Sequence, residues 1–289
     1  MQHYKSNKTM QNILITGSST GIGRATALLL AKEGYRVFAG VRRQEDAVSL
    51  EAEAQGTLVS LILDVHDDSS IAAAVQTLTD TVAEDGLYAL INNAGFSLAA
   101  PVEYASREHI DAQMQTNFYG PVMMIQAFLP LLRVGSGRVL NVSSGAGLMA
   151  LPVVGIYSAS KFALEAISDV LRVELEREGI DVVVIEPGYV KSAIHEKGAA
   201  STQATLASLT DAGKEKYGDA LINFQTGGEK MAEKATTSEQ AARVLLRAVR
   251  AKKPKTRYYT DGQVRFLSIL ARLLSDRMKD GIRRSVIGW

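Results

Sequence analysis

The sequence has no cysteine among its 289 residues. That absence excludes disulfides, thiolate zinc sites and a thiol nucleophile together, and it is compatible with a reducing cytoplasm. Net charge is nearly absent as well: 32 Lys and Arg stand against 31 Asp and Glu, a formal +1. No global basic excess argues for nucleic acid. Long apolar runs are missing too; no segment approaches the roughly 18 consecutive apolar residues of a membrane span. The opening "MQHYKSNKTMQN" is polar and lacks the apolar stretch of a secretory signal. His3, His66, His109 and His195 have no ligand spacing, so no metal site is expected. What these gaps leave is a soluble, cytoplasmic protein with 46% hydrophobic and 22% charged residues, able to bury a full core.

What is present has a regular rhythm. "NILIT" (12–16), "RVFAGV" (36–41), "LVSLILDV" (58–65), "LYALIN" (87–92), "RVLNVS" (138–143) and "DVVVIE" (181–186) read as strands, with "TRYYT" (256–260) as a seventh. Several are almost wholly apolar, as expected when helices cover both faces of a parallel sheet. Between them, 21–33, 68–84, 106–133 and 157–178 read as amphipathic helices; Leu164, Ile167, Leu171 and Leu175 mark the last. The alternation predicts an α/β fold with one doubly wound parallel sheet of about seven strands. It would occupy 12–289 as a single domain behind a polar extension at 1–11. From Tyr189 to about Thr237 the rhythm lapses into Ala, Thr, Gly and Lys, which reads as an excursion from that domain, a lid or substrate loop.

"NILITGSSTGIGRATALLLAKEG" reads as strand, turn and helix. Gly17, Gly21 and Gly23 allow a tight turn and close backbone approach, and the helix N-terminus then offers free N–H groups to a pyrophosphate. Alone the spacing is a weak signal, since such turns occur without a ligand. The same residues fit G-x-S-x-G, a hydrolase nucleophile elbow with Ser19 as nucleophile, but only His195 could serve it late in the chain. No G-K-[ST] follows, which removes a P-loop. At the end of the second strand, where a carboxylate would bond the ribose 2′-OH of NAD, stand Val41, Arg42 and Arg43. A guanidinium there can grip a 2′-phosphate, which favours NADP(H) over NAD(H). The alternative is a solvated turn arginine, its charge blurred by Glu45 and Asp46.

"TGSSTGIG" (16–23), "NNAG" (92–95), Asn117, "NVSS" (141–144), "YSASK" (157–161) and "PG" (187–188) occur in the order seen in the short-chain dehydrogenases/reductases. Over residues 12–192 the chain resembles that family, and the run around "YRVFAGVRR" looks most like its non-extended retinol and hydroxysteroid dehydrogenase branch. The resemblance implies a Rossmann-type fold, alcohol dehydrogenase or carbonyl reductase activity, and a set of site residues. Tyr157 would be the general acid/base. Lys161, four residues on and so on the same helix face, would lower the phenol pKa from its usual value near ~10 and bind the nicotinamide ribose. Ser143 would hold the substrate oxygen, strand alternation favouring it over the adjacent Ser144. Asn117 would support a water relay behind Lys161; a mid-helix asparagine can also simply bond a backbone carbonyl. Gly17, Ser19, Thr20, Gly21, Ile22 and Gly23 would cradle the pyrophosphate, Asp64 and Val65 would meet the adenine, and Asn92, Ala94 and Gly95 would flank the cofactor. Pro187, Gly188, Val190 and Ser192 would lie at the nicotinamide, Ser192 standing where the family commonly has threonine.

Beyond the strand ends, Leu148, Met149, Leu151, Val153, Val154 and Tyr189 supply apolar surface without charge. A lipophilic alcohol, ketone or aldehyde of retinoid, steroid or lipid type fits such a lining better than a sugar or an acid. The tail, 264–289, is basic and amphipathic: Arg265, Arg272 and Lys279 recur every seven residues beside Phe266, Leu267, Ile269, Leu270, Leu273 and Leu274. It reads as a cover for the substrate cleft or a contact in a homodimer or homotetramer, with an anionic membrane as the alternative. A cofactor-binding sensor without turnover is the rival of another class. The complete set Asn117, Ser143, Tyr157 and Lys161 argues against it.

Overall fold

The structure, a computed structural model, describes residues 10–191, 193–233 and 235–289, and all side chains among them except those of 193–197 and 199. The chain begins β1 (Asn12–Ile15), α1 (Gly21–Lys32), β2 (Arg36–Val41), α2 (Gln44–Glu53), β3 (Leu58–Ile62), α3 (Asp68–Val82) and β4 (Ala89–Asn92). It continues through α4 (Arg107–Met114), α5 (Gly120–Val134), β5 (Arg138–Val142), α6 (Gly155–Glu174) and β6 (Asp181–Glu186). Then come β7 (Val190–Lys191), α7 (Ala193–Ser208), α8 (Asp211–Ala232), β8 (Thr236–Thr237), α9 (Ser238–Arg250), β9 (Arg257–Tyr259), α10 (Gly262–Leu273) and α11 (Asp276–Ile287). Seven strands form one parallel sheet in the order β3-β2-β1-β4-β5-β6-β9. The doubly wound architecture is thus borne out, with the strand at 256–260 included. The order reverses between β1 and β4, and the carboxyl ends there open a crevice.

Alternation along the strands divides the core in two. Ile13, Ile15, Val37 and Ala39 pack with Leu30 of α1 and Leu245 of α9 on one face. Leu14, Phe38, Leu90 and Val139 pack with Leu78, Phe128 and Leu132 on the other. Both faces being covered, the strands need no polar side, which explains their unbroken apolar runs.

Four segments depart from expectation. The periodicity at 44–53 is weak, and α2 there was not anticipated. The helix expected over 106–133 is broken by a π-helical turn at Gln115–Tyr119 that divides α4 from α5. The excursion at 189–236 is mostly helical. α7 has no apolar stripe to reveal it, and α8 contains Gly213, Gly218, Gly227 and Gly228, which lower helix propensity. The tail is two helices: Leu274 is extended and Ser275 caps α11, its side chain accepting from the Met278 N–H. α10 buries Val264 and Ser268 and leaves Phe266, Ile269 and Leu273 exposed. Among the described residues no helix is long and apolar enough to cross a membrane.

One buried cation closes the far end of the sheet. Arg138 at the start of β5 donates through Nη1 to the carbonyls of Ala248, Val249 and Ala251 at 2.9, 2.9 and 2.7 Å, capping α9, and its guanidinium lies 5.0 Å from the Tyr88 ring centroid. Arg138→Met keeps the bulk but strips these acceptors of their donor. Urea denaturation should show a loss of about 2–4 kcal/mol; a loss indistinguishable from zero would mean that the carbonyls find other partners.

Candidate active site

The chain leaves β1 into a turn that only glycine can make. Gly17 has φ +68°, and a Cβ there would lie 2.8 Å from the Ala94 Cα; one at Gly23 would lie 2.2 Å from the Gly17 carbonyl oxygen. Thr20 precedes α1 without a side-chain capping bond, and among the described residues no side chain bonds the first-turn N–H groups at the crevice. Ser19 and Ile22 are half-buried on this turn. Asn93, which sequence reasoning passed over between Asn92 and Ala94, is its latch. Its Nδ2 donates to the carbonyls of Thr16 and Gly17, both at 3.0 Å, while the Thr16 hydroxyl accepts from the Asn93 and Ala94 N–H groups. Asn92 points inward instead, donating to Asn141, which donates to Ser168 of α6.

Arg43 is engaged by Asp46 through two bonds of 3.0 and 3.1 Å. Arg42 is exposed and has no hydrogen bond or ion pair among the described residues, so its guanidinium is available at the end of β2. Asp64 is fixed by the Ser70 hydroxyl and the His66 N–H. Val65 is buried; its side chain packs where a Cβ on Gly120 would fall 2.8 Å away, which leaves its backbone rather than its side chain to meet a ligand.

Tyr157 is the third residue of α6, and the Lys161 Nζ, one turn on, lies 5.9 Å from its ring centroid. Lys161 is 4% exposed and donates to the Val142 carbonyl at 2.9 Å. Burial pulls its pKa down to about 8, against an opposing pull from Glu165. Burial pushes the Tyr157 phenol up, and a hydrogen bond with the Ser144 side chain only partly offsets this. In this structure desolvation therefore outweighs the lowering expected from Lys161.

The two serines have different surroundings. Alternation puts Ser143 on the same side of the sheet as Asn141, but that side is covered by α6. Ser143 is buried, and a Cβ on Gly147 would sit 2.9 Å from its Oγ and 3.2 Å from the Lys161 Cβ. Ser144 is the one beside Tyr157, and its Oγ also accepts from the Ala146 N–H. Asn117 lies in the π-helical turn with its amide fully engaged. It donates to the Phe96 carbonyl at 2.9 Å and to Ser160 at 3.0 Å, and accepts from the Phe96 N–H at 3.1 Å. It fixes the strand-end loop at Gly95, where a Cβ would meet Asn117 Oδ1 at 3.1 Å and Lys161 Nζ at 3.4 Å.

Over this corner lies a third apolar cluster. Ala99, Val153, Val154, Leu209, Ala220, Leu221 and Ile287 form it, with Tyr157 packed against it. α7 is tied to it by Thr205, which donates to the Ala99 carbonyl at 2.6 Å, and α8 by Lys216 and Tyr217, which both bond Glu103. The Arg283 Nε of α11 donates to the Ala150 carbonyl at 3.0 Å. Val153 has φ +70°, a strained backbone for a β-branched residue. Met149 and Val153 are buried, whereas Leu148 and Tyr189 are half-buried; the Tyr189 phenol is pushed up, mainly by burial. Pro187 and Val190 are buried, the Gly188 N–H is held by Thr260, and Ser192 lies outside the described residues.

Comparison with known proteins converges on one family. Residues 11–203 match the family described as short chain dehydrogenase. An NADPH-dependent 3-dehydrocapnine reductase of Ornithobacterium rhinotracheale is 34% identical over 278 residues, 94% of this chain and 96% of its own. Human 17-beta-hydroxysteroid dehydrogenase type 1 is 37% identical over 274 residues, 91% of this chain and 81% of its own. A short-chain dehydrogenase from Streptomyces avermitilis has the same fold, with a TM-score of 0.75 at 24% identity across 98% of this chain and 97% of its own.

The latch can be tested directly. Asn93→Ala should weaken dinucleotide binding by roughly tenfold, the equivalent of one lost buried hydrogen-bond donor. Calorimetric titration with NADPH would measure it, and unchanged affinity would remove Asn93 from the cradle.

Proposed function

Because the chain belongs to the short-chain dehydrogenase family and is an NAD(P)-dependent oxidoreductase, we propose that it reduces a lipophilic ketone or aldehyde to the alcohol with NADPH, Tyr157 acting as the proton donor. The observation that carries this reading is the convergence of Tyr157, Ser144 and Lys161 beneath the apolar cluster of α7, α8 and α11. Residues 12–289 act in it as one catalytic unit, since Ile287 and Tyr157 share that cluster.

The residues present fit a dinucleotide. The glycine turn, latched by Asn93, offers N–H groups for a pyrophosphate. Arg42 would take a 2′-phosphate, in keeping with the NADPH in the name of the Ornithobacterium relative. The lack of a side chain at Gly95 keeps the approach to Lys161 open. When bound, the reduced nicotinamide supplies the hydride.

The chain's own residues do the rest. Ser144 and Tyr157 present hydroxyls to the substrate oxygen. With its pKa raised, Tyr157 holds its proton at neutral pH and donates it as negative charge develops on that oxygen. Lys161, with a pKa of about 8, is largely an ammonium at pH 7 and stabilises the phenolate left behind. Asn117 positions the loop at Gly95 rather than touching the substrate. The apolar walls exclude water and accept a substrate with few polar groups. The side chains that α10 leaves exposed, Phe266, Ile269 and Leu273, fit burial in a homo-oligomer.

Loss of reduced-nicotinamide absorbance with a panel of lipophilic ketones tests the reading. Tyr157→Phe should cut turnover by about 10²–10⁴-fold. Ser144→Ala should cost more than Ser143→Ala; the reverse order would return Ser143 to the substrate. Arg42→Asp should raise the KM for NADPH by about 10–100-fold while sparing NADH, as expected for a lost charge-assisted pair. Equal losses for both coenzymes would take the arginine out of specificity.

A further inference from the structure

The structure buries more charge behind Lys161 than proton donation by Tyr157 requires. Glu165, one turn further along α6, is 8% exposed. Its Oε2 accepts from Arg257 Nη2 of β9 at 3.0 Å, while its Oε1 is buried without a partner. The same guanidinium bonds Asp169 at 2.9 and 3.0 Å, and its Nε lies 3.1 Å from Oε1 of the fully buried Glu186 at the end of β6. Asp169 is part-exposed and also holds Arg172, so its charge is met elsewhere. Glu165 and Glu186, both buried, therefore share the half-buried Arg257 between two carboxyl groups. The buried cation of the cluster is Lys161.

Gly147 leaves room where the stems of Lys161 and Glu165 stand side by side on α6. A Cβ at that position would come within 2.9 Å of Ser143 Oγ, 3.2 Å of Lys161 Cβ and 3.3 Å of Glu165 Cγ. The other groups facing the ammonium are the Val142 carbonyl of β5, Ser143, Tyr157, and Asn117 of the π-helical turn. Behind Glu165 stand Arg257, Glu186, Asp169 and Arg172, and Arg272 of α10 acts on Glu186.

We infer that Glu165 is a positioning residue: held by Arg257, it is the fixed counter-charge that keeps Lys161 protonated at its buried place. This rests on the reading of Lys161 as the ammonium beside Tyr157. The two side chains form no ion pair, so the effect acts through space, where a low local dielectric extends its range. Burial pulls Lys161 down to about 8, and Glu165 pulls the other way. Glu186 is pushed up to about 7, first by burial and then by the neighbouring Glu165 carboxylate.

Lysine carrying ¹³C at Cε, with the Lys161 signal assigned by its loss in Lys161→Arg, gives the titration directly by NMR on the full chain. Glu165→Gln keeps the shape and leaves Arg257 its other carboxylates. It should lower the Lys161 midpoint by roughly one pH unit, and the alkaline limb of kcat/KM for ketone reduction should move by the same amount. Glu165→Asp keeps the charge and should hold both near the wild-type values. An unmoved midpoint in Glu165→Gln overturns the inference. Equal falls in the Gln and Asp variants overturn it too, since packing would then be the cause. If the wild-type protein reduced no ketone, the proposed function would fail while the NMR titration still decided the role of Glu165.

Discussion

An ammonium group that is 4% exposed sits at the carboxyl end of β5, and the arrangement of the site follows from the cost of keeping it there. Charge removed from water reverts to its neutral form unless other groups replace the lost solvation. The replacements come from separate parts of the chain. The Val142 carbonyl accepts one hydrogen bond, Asn117 holds the loop that passes over the amine, and Glu165 brings negative charge from the next turn of α6. Gly95 and Gly147 are small because these groups crowd around the lysine.

The sheet makes this crowding possible. β4, β5 and β6 end side by side, and each hands its chain to a loop at the same rim. The cross-links at that rim run between strands and helices: Asn92 to Asn141 to Ser168, and Asn93 back to the glycine turn. A rigid rim of this kind holds donors in place before a substrate arrives, which is where catalysis by preorganised dipoles gains its advantage over water.

Much of this was legible in the sequence, and the misses have physical causes. The strands could be read because covered parallel strands are apolar on both sides. The glycine turn and the Tyr157–Lys161 spacing could be read because local geometry fixes them. The lid could not: α7 is rich in Ala, Ser and Thr, and it is fastened by Thr205 to Ala99, a contact across 106 residues. The π-helical turn leaves no mark on apolar spacing. Alternation held at Ser143, but the rule does not say which face a helix will cover, so it does not decide between Ser143 and Ser144. Glu165 reads as an ordinary polar position of α6 until Arg257, 92 residues away in sequence, is brought against it.

Burial moves the two central groups in opposite directions. The Tyr157 phenol is raised above its ordinary value and Lys161 is lowered to about 8, each chiefly by loss of water. Water in the same corner would shrink both shifts. The apolar cover of α7, α8 and α11 therefore bears on protonation as well as on packing. By excluding water it favours the uncharged form of both groups, while the Glu165 carboxylate pulls Lys161 the other way.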